Sequence, residues 1–97
     1  MPIFAVHYTY STTTAEDRLA NRPEHRGFLN NLVDEGVVLT SGPYPDGSGA
    51  LILVRAEGDV ETVGKLFDED PFAKLGYVEG RRIVEWVPVM GAFAEES

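Results

Sequence analysis

The chain has no cysteine. Disulfides and thiolate metal sites are thereby excluded, and a reducing cytoplasmic location is expected. It has no long apolar run, which excludes a membrane-spanning helix. Cations are scarce: eight Lys and Arg stand against sixteen Asp and Glu, a net charge of −8. Phosphate binding needs clustered cations, so no nucleic-acid partner is expected. The acidity itself reads as solubility. The opening stretch Met1 to Tyr8 lacks the basic region and cleavage site of a signal peptide. There is no internal repeat and no low-complexity segment.

What is present fits one small α+β domain spanning 1–97, with an ordered core over 1–91 and a loose acidic tail over 92–97. A chain this short buries about 60–70% of its unfolded surface, so the core is thin. Residues 2–10 alternate in strand fashion, Phe4, Val6, Tyr8 and Tyr10 against Ile3, Ala5, His7 and Thr9. Thr14 with Asp17 three residues on resembles a capping box. A helical pattern follows over about 15–35, interrupted at Pro23, which reads as a kink or as the start of a second helical piece. Its stripe is His25, Phe28, Leu29, Leu32 and Val33. Gly36 ends it.

Residues 37–40 read as a short buried strand, Ser41 to Gly49 as turn, and 50–54 as a strand apolar on both faces. Gly58-Asp59 caps a second helix from Val60 to about Asp68, with Val60, Val63, Leu66 and Phe67 inward. Pro71 to Gly76 reads as turn and Glu79 to Val89 as a last strand. The order βαββαβ is the ferredoxin-like arrangement: one antiparallel four-stranded sheet with two helices on one face. The other sheet face is also apolar, and no chain remains to cover it. A large exposed apolar face is unexpected on a monomer, so a sheet-to-sheet homodimer is expected.

Asp70 is the residue that invites a chemical reading. The run Asp68-Glu69-Asp70-Pro71 closes the second helix with three acids, where the helix dipole disfavours each by ~0.3–1 kcal/mol. Pro71 pushes Asp70 toward extended backbone. Its natural partner is His25, the histidine on the core-facing helical stripe. A histidine near neutral pH gives or takes protons, and a carboxylate on one ring nitrogen fixes the tautomer and stabilises the protonated ring. If a helix begins at Pro23, His25 near its amino end is biased toward neutral, and Asp70 pulls the other way. The plain alternatives are a core histidine satisfied by a backbone carbonyl and an Asp-Pro that merely starts a turn.

Other candidates surround this pair. Ser41 suits a substrate hydrogen bond better than a nucleophile, since no elbow motif flanks it. Gly42 and Pro43 shape a pocket wall. Arg18 and Arg22 can take an anionic substrate group or simply pair with Glu16 or Asp17. Phe72, Tyr8 and Tyr44 can line an aromatic pocket or fill core and rim. His7 belongs to the far sheet face. His7, His25 and the acids show no ligand spacing, so no metal is expected.

These residues give the chain a familiar outline. Arg18 and Arg22 before His25, then Leu29 and Leu32, Thr40-Ser41-Gly42-Pro43, Asp70-Pro71-Phe72, Gly76, and a closing strand with Ile83 and Trp86 resemble the YciI-like family of the dimeric α/β-barrel superfamily. The resemblance covers nearly the whole chain and rests on order and spacing. It implies a ferredoxin-like protomer, a homodimer, and a His–Asp active-site pair carried by His25 and Asp70 with Ser41 beside it. Two features depart from the pattern: Pro23 and Gly27 flank His25, and the turn from Tyr44 to Gly49 is short.

The function expected is a small cofactor-independent enzyme. His25 and Asp70 perform acid/base proton transfer of lyase, dehydrohalogenase or isomerase type on a small cyclic or aromatic substrate. Ser41, Gly42, Pro43, Arg22, Phe72 and Tyr8 are expected to bind it. Relatives credited with eliminating HCl from chlorinated aromatics point the same way. The alternative is a non-catalytic small-molecule-binding or accessory module using the same cleft. A haem relative would need His25 as proximal ligand, and nothing else supports it.

Overall fold

The computed structural model describes residues 1–96; the end of the expected acidic tail, Ser97, lies outside them. The strands are β1 (Ile3–Thr9), β2 (Val38–Pro43), β3 (Gly49–Arg55) and β4 (Gly80–Trp86). The helices are α1 (Ala15–Asp34), α2 (Val60–Phe67) and α3 (Pro71–Lys74), with short 3₁₀ turns at Thr12–Thr14 and Ala94–Glu96. The sheet order is β2-β3-β1-β4, antiparallel throughout. That is the ferredoxin-like arrangement, with the two most apolar strands in the middle.

One sheet face meets the helices. Phe4, Val6 and Tyr8 of β1 pair across to Val54, Ile52 and Ala50 of β3. They share one core with Leu29 and Leu32 of α1 and Val63 and Phe67 of α2, so both helices lie on the same side. Burying each large apolar side chain contributes ~1.5–3 kcal/mol. Val33 and Val60, expected inward, are instead exposed, because each sits at the edge of its apolar stripe.

Local chemistry explains the element ends. Gly36 has φ +77, Gly36 N–H donates to the Val33 carbonyl and Val37 N–H to the Leu32 carbonyl: a Schellman stop that needs glycine. Asp59 caps α2 by accepting from Thr62 N–H at 3.0 Å. The expected Thr14 capping box does not form. The Thr14 hydroxyl donates to the Ser11 carbonyl instead, and Ser11 caps the preceding turn.

Four boundaries differ from expectation. α1 is one continuous helix through Pro23, not two pieces. Proline removes the bond to the Leu19 carbonyl, but Leu19 and Pro23 are both exposed, where the loss of one backbone bond costs least. β2 runs on through Ser41-Gly42-Pro43, past a register irregularity between Val38 and Thr40. It is an edge strand, which tolerates proline and leaves Thr40, Ser41 and Pro43 exposed. β4 stops at Trp86, leaving Val87 and Val89 exposed beyond it. Residues 71–74 form a short helix rather than a plain turn.

The far sheet face is less bare than the sequence suggests. Ile3, Ala5 and Leu53 are buried there, outside the helix-side core. The register sets Trp86 and Arg55 on either side of Ile3. The chain after β4 returns toward the start of β1: Glu95 shares a hollow with Met1, Arg55 and Glu57. Trp86 remains 42% exposed.

Candidate functional site

Three helices position the His25–Asp70 pair. α1 turns His25 inward on the same stripe as Leu29 and Leu32. The chain leaves α2 at Phe67, and Asp70, in extended conformation, becomes the cap of α3 with Pro71 as its first residue. The Asp70 carboxylate thus faces a helix amino end, where negative charge is favoured, rather than the disfavoured carboxyl end expected from the sequence.

Asp70 is fully buried, and its carboxylate collects three donors. Phe72 N–H donates to Oδ1 at 3.0 Å, and the Tyr8 hydroxyl donates to Oδ2 at 2.7 Å. His25 Nδ1 lies 2.8 Å from Oδ1 and 3.0 Å from Oδ2. A carboxylate surrounded by donors assigns the proton to Nδ1. The Phe72 ring lies flat on the imidazole, centroids 4.0 Å apart and planes parallel, so the ring cannot pivot freely. Burial, reinforced by the Asp70 charge, raises the Tyr8 hydroxyl far above the ordinary phenol range, so it stays a donor.

His25 Nε2 makes no hydrogen bond among the described residues. No buried side-chain nitrogen or oxygen among them lacks a partner, so Nε2 meets the open cavity beside it. In the neutral ring this nitrogen carries the lone pair. The arrangement can therefore take a proton at Nε2 while Asp70 stabilises the resulting imidazolium. Because α1 starts at Ala15, His25 sits mid-helix, and the helix amino end exerts no pull on it.

The cavity measures about 460 Å³. Arg22 and His25 of α1, Ser41, Gly42 and Pro43 of β2, and Phe72 all line it, so the three expected segments converge. Ser41 makes no hydrogen bond to His25 among the described residues, so no nucleophile–base pair is present. Tyr8 stands behind the dyad instead of in the cavity: it is 1% exposed and its hydroxyl is held by Asp70. The expected Tyr44 contact lies elsewhere, 3.4 Å from His7 Nδ1. Among the described residues no three His, Asp or Glu side chains gather to hold a metal ion.

The sequence reading missed Tyr10, Arg26 and Asn30, which also line the cavity. Arg18, Arg22, Arg26 and Asn30 recur every four residues, one helical face. Breaking the helix at Pro23 hid that series. Arg18 does not pair with Glu16 or Asp17. It donates to the Ser11 carbonyl and Thr14 hydroxyl and lies 4.3 Å over the Tyr10 ring. Burial first, then the Asp70 charge, pushes the Tyr10 hydroxyl up to about 12. Gly49 closes the far wall; a Cβ there would lie 1.9 Å from the Tyr8 carbonyl oxygen.

Comparisons with known proteins follow the same lines. No curated protein matches the chain. A solved structure similar in fold is that of 5-chloro-2-hydroxyhydroquinone dehydrochlorinase (TftG) from Burkholderia phenoliruptrix AC1100, in complex with 2,5-dihydroxybenzoquinone. The two share 20% identity and a TM-score of 0.75, over 87% of this chain and 92% of that one. The likeness is one of fold. The sequence over residues 2–87 matches the YCII-related domain, and the chain belongs to that family.

Proposed function

We propose that the protein is a small cofactor-independent enzyme in which His25 Nε2 moves a proton on a small cyclic or aromatic substrate. The single observation that carries this reading is a histidine tied to a buried carboxylate on one nitrogen and open to a cavity on the other. Asp70 is its orienting partner, and Tyr8 and the Phe72 amide hold Asp70 in turn. Ser41, Gly42, Pro43, Arg22 and Phe72 contact the substrate.

In an elimination, His25 accepts a proton from the ring, the freed electron pair forms a new double bond, and the leaving group departs with its own pair. In an isomerisation, the imidazolium returns the proton to another ring atom. A substrate like that of the fold relative, a chlorinated hydroxyhydroquinone, suits the first route. The test is chloride release from that compound, together with deuterium exchange into cyclic ketones and phenols. Wild-type turnover that His25→Ala and Asp70→Asn reduce by about 10²–10⁴-fold is expected. Turnover unchanged in both variants removes the acid/base role. Compounds bound but always recovered intact make the cleft a binding or accessory module.

The same proposal includes a cytoplasmic homodimer. The exposed Trp86 and the half-buried Leu51 and Val84 on the far face support it. Light scattering on the eluted protein tests the dimer, and a monomeric mass at working concentration removes it.

A further inference from the structure

The walls of the cavity are unequal in charge. Three of its lining residues are arginines, Arg18, Arg22 and Arg26, and none is acidic, although the chain holds sixteen Asp and Glu. The arginines repeat at intervals of four, so each cation faces another cation one turn away. No acid stands three or four residues from Arg22 or Arg26 on α1. Such like-charge neighbours weaken a helix, and nothing in the local sequence relieves them. The opposite wall, Ser41 to Pro43 with Gly47 and Gly49, is small and uncharged.

The three arginines are not equivalent. Arg18 is held by Ser11, Thr14 and the Tyr10 ring. Arg22 and Arg26 make no hydrogen bond or ion pair among the described residues, and both are exposed at the cavity. A guanidinium has five donors in a planar fork that matches a carboxylate or another delocalised oxyanion.

Building on the reading above, in which a ring substrate sits against His25, we propose that Arg22 and Arg26 form an anion clamp. The substrate is then an anionic ring compound, carrying a carboxylate or ionised phenol. The clamp grips that group beside His25, from Arg22 about one turn before it and Arg26 next to it, which leaves the reacting ring atom facing Nε2. Arg18 braces the row and contributes field rather than contact.

The experiment compares benzoate with benzamide, which share a shape and differ in charge. Binding is measured by calorimetry and by ligand NMR on the full chain, without turnover. Benzoate is expected to bind about tenfold or more tightly than benzamide. Arg22→Gln and Arg26→Gln should each weaken benzoate about tenfold and leave benzamide unchanged. Arg26→Lys should fall between, since a lysine keeps charge without the fork. Arg82→Gln, which removes an exposed cation from β4 outside the cavity, should change nothing. Raising salt from about 0.01 M to about 1 M, which shortens screening from ~30 to ~3 Å, should weaken benzoate alone.

Equal binding of the two probes, or none of either, overturns the clamp. So does an Arg82→Gln loss as large as that of Arg26→Gln, or abolition of benzoate binding by His25→Ala with the arginines intact. The outcomes separate the two proposals. Turnover through His25 with no preference for benzoate removes the clamp alone. Selective benzoate binding without any turnover removes the acid/base chemistry and leaves the anion site standing.

Discussion

The two sides of the His25 ring are built to opposite rules. Behind Nδ1 everything is sealed: Asp70 is fully buried, Tyr8 nearly so, and every donor there is spent on the carboxylate. In front of Nε2 the groups are open: Arg22, Arg26 and Ser41 are exposed and aimed at a cavity. The sealed side carries stability, because a buried polar group left without its partner costs far more than the bond is worth on average. The open side carries little stability and is free to meet a ligand. One imidazole edge therefore divides what holds the fold from what the fold presents.

The strongest way to break that contrast is Asp70→Ala. It strands the Tyr8 hydroxyl, the Phe72 amide and Nδ1 together, and should destabilise by about 3–5 kcal/mol in urea unfolding. A loss below about 1 kcal/mol would mean the sealed side is not sealed. Tyr8→Phe removes one donor to a charged group and leaves two, so about 1.5–3 kcal/mol is expected from the same titration. Gly49→Ala presses a methyl group into the Tyr8 backbone, and a shift of the two strands should give about 1–3 kcal/mol. A neutral result there would show that β3 moves without disturbing Tyr8.

Alkaline pH sharpens the contrast more gently. The Tyr10 hydroxyl is raised to about 12 in the folded protein, whereas an unfolded tyrosine titrates near about 10. Between those values the unfolded chain has released a proton that the folded chain retains. Stability is therefore full below about pH 10 and falls as pH rises toward about 12; Tyr10→Phe should lessen the fall, and the rest belongs to Tyr8, which is raised further still. Urea midpoints collected across that range check the sign. The smallest effect belongs to the open side: Arg22→Gln should move stability by no more than about 0.5 kcal/mol while weakening benzoate about tenfold. A large destabilisation would make Arg22 part of the frame.

The residues show where a linear reading succeeds. Alternation in residues 2–10, Gly36, and Asp59 each act over a few neighbours, and each does in the structure what its local chemistry demands. Pro23 shows where such a reading stops. Proline penalises a helix interior, yet α1 continues with Pro23 and Leu19 both on its exposed side, and that depends on which side of the helix meets the sheet. Asp70 misled for the same reason. Read against α2 alone its charge is misplaced; read against α3, which exists because Pro71 opens a new helix, it is a cap.

The order of amino acids, acting through strand alternation, helical spacing and turn chemistry, was enough to specify the βαββαβ order and most of the helix-side core. Those signals are short-range, so they survive without coordinates. The pairing of His25 with Asp70 across 45 residues, and of Tyr8 with Asp70 across 62, arises when the chain folds back on itself. The sheet register decides that Tyr8 lies behind the dyad and Ser41 in front of it. No local preference encodes that choice, because a strand offers both its faces equally until something packs against one of them.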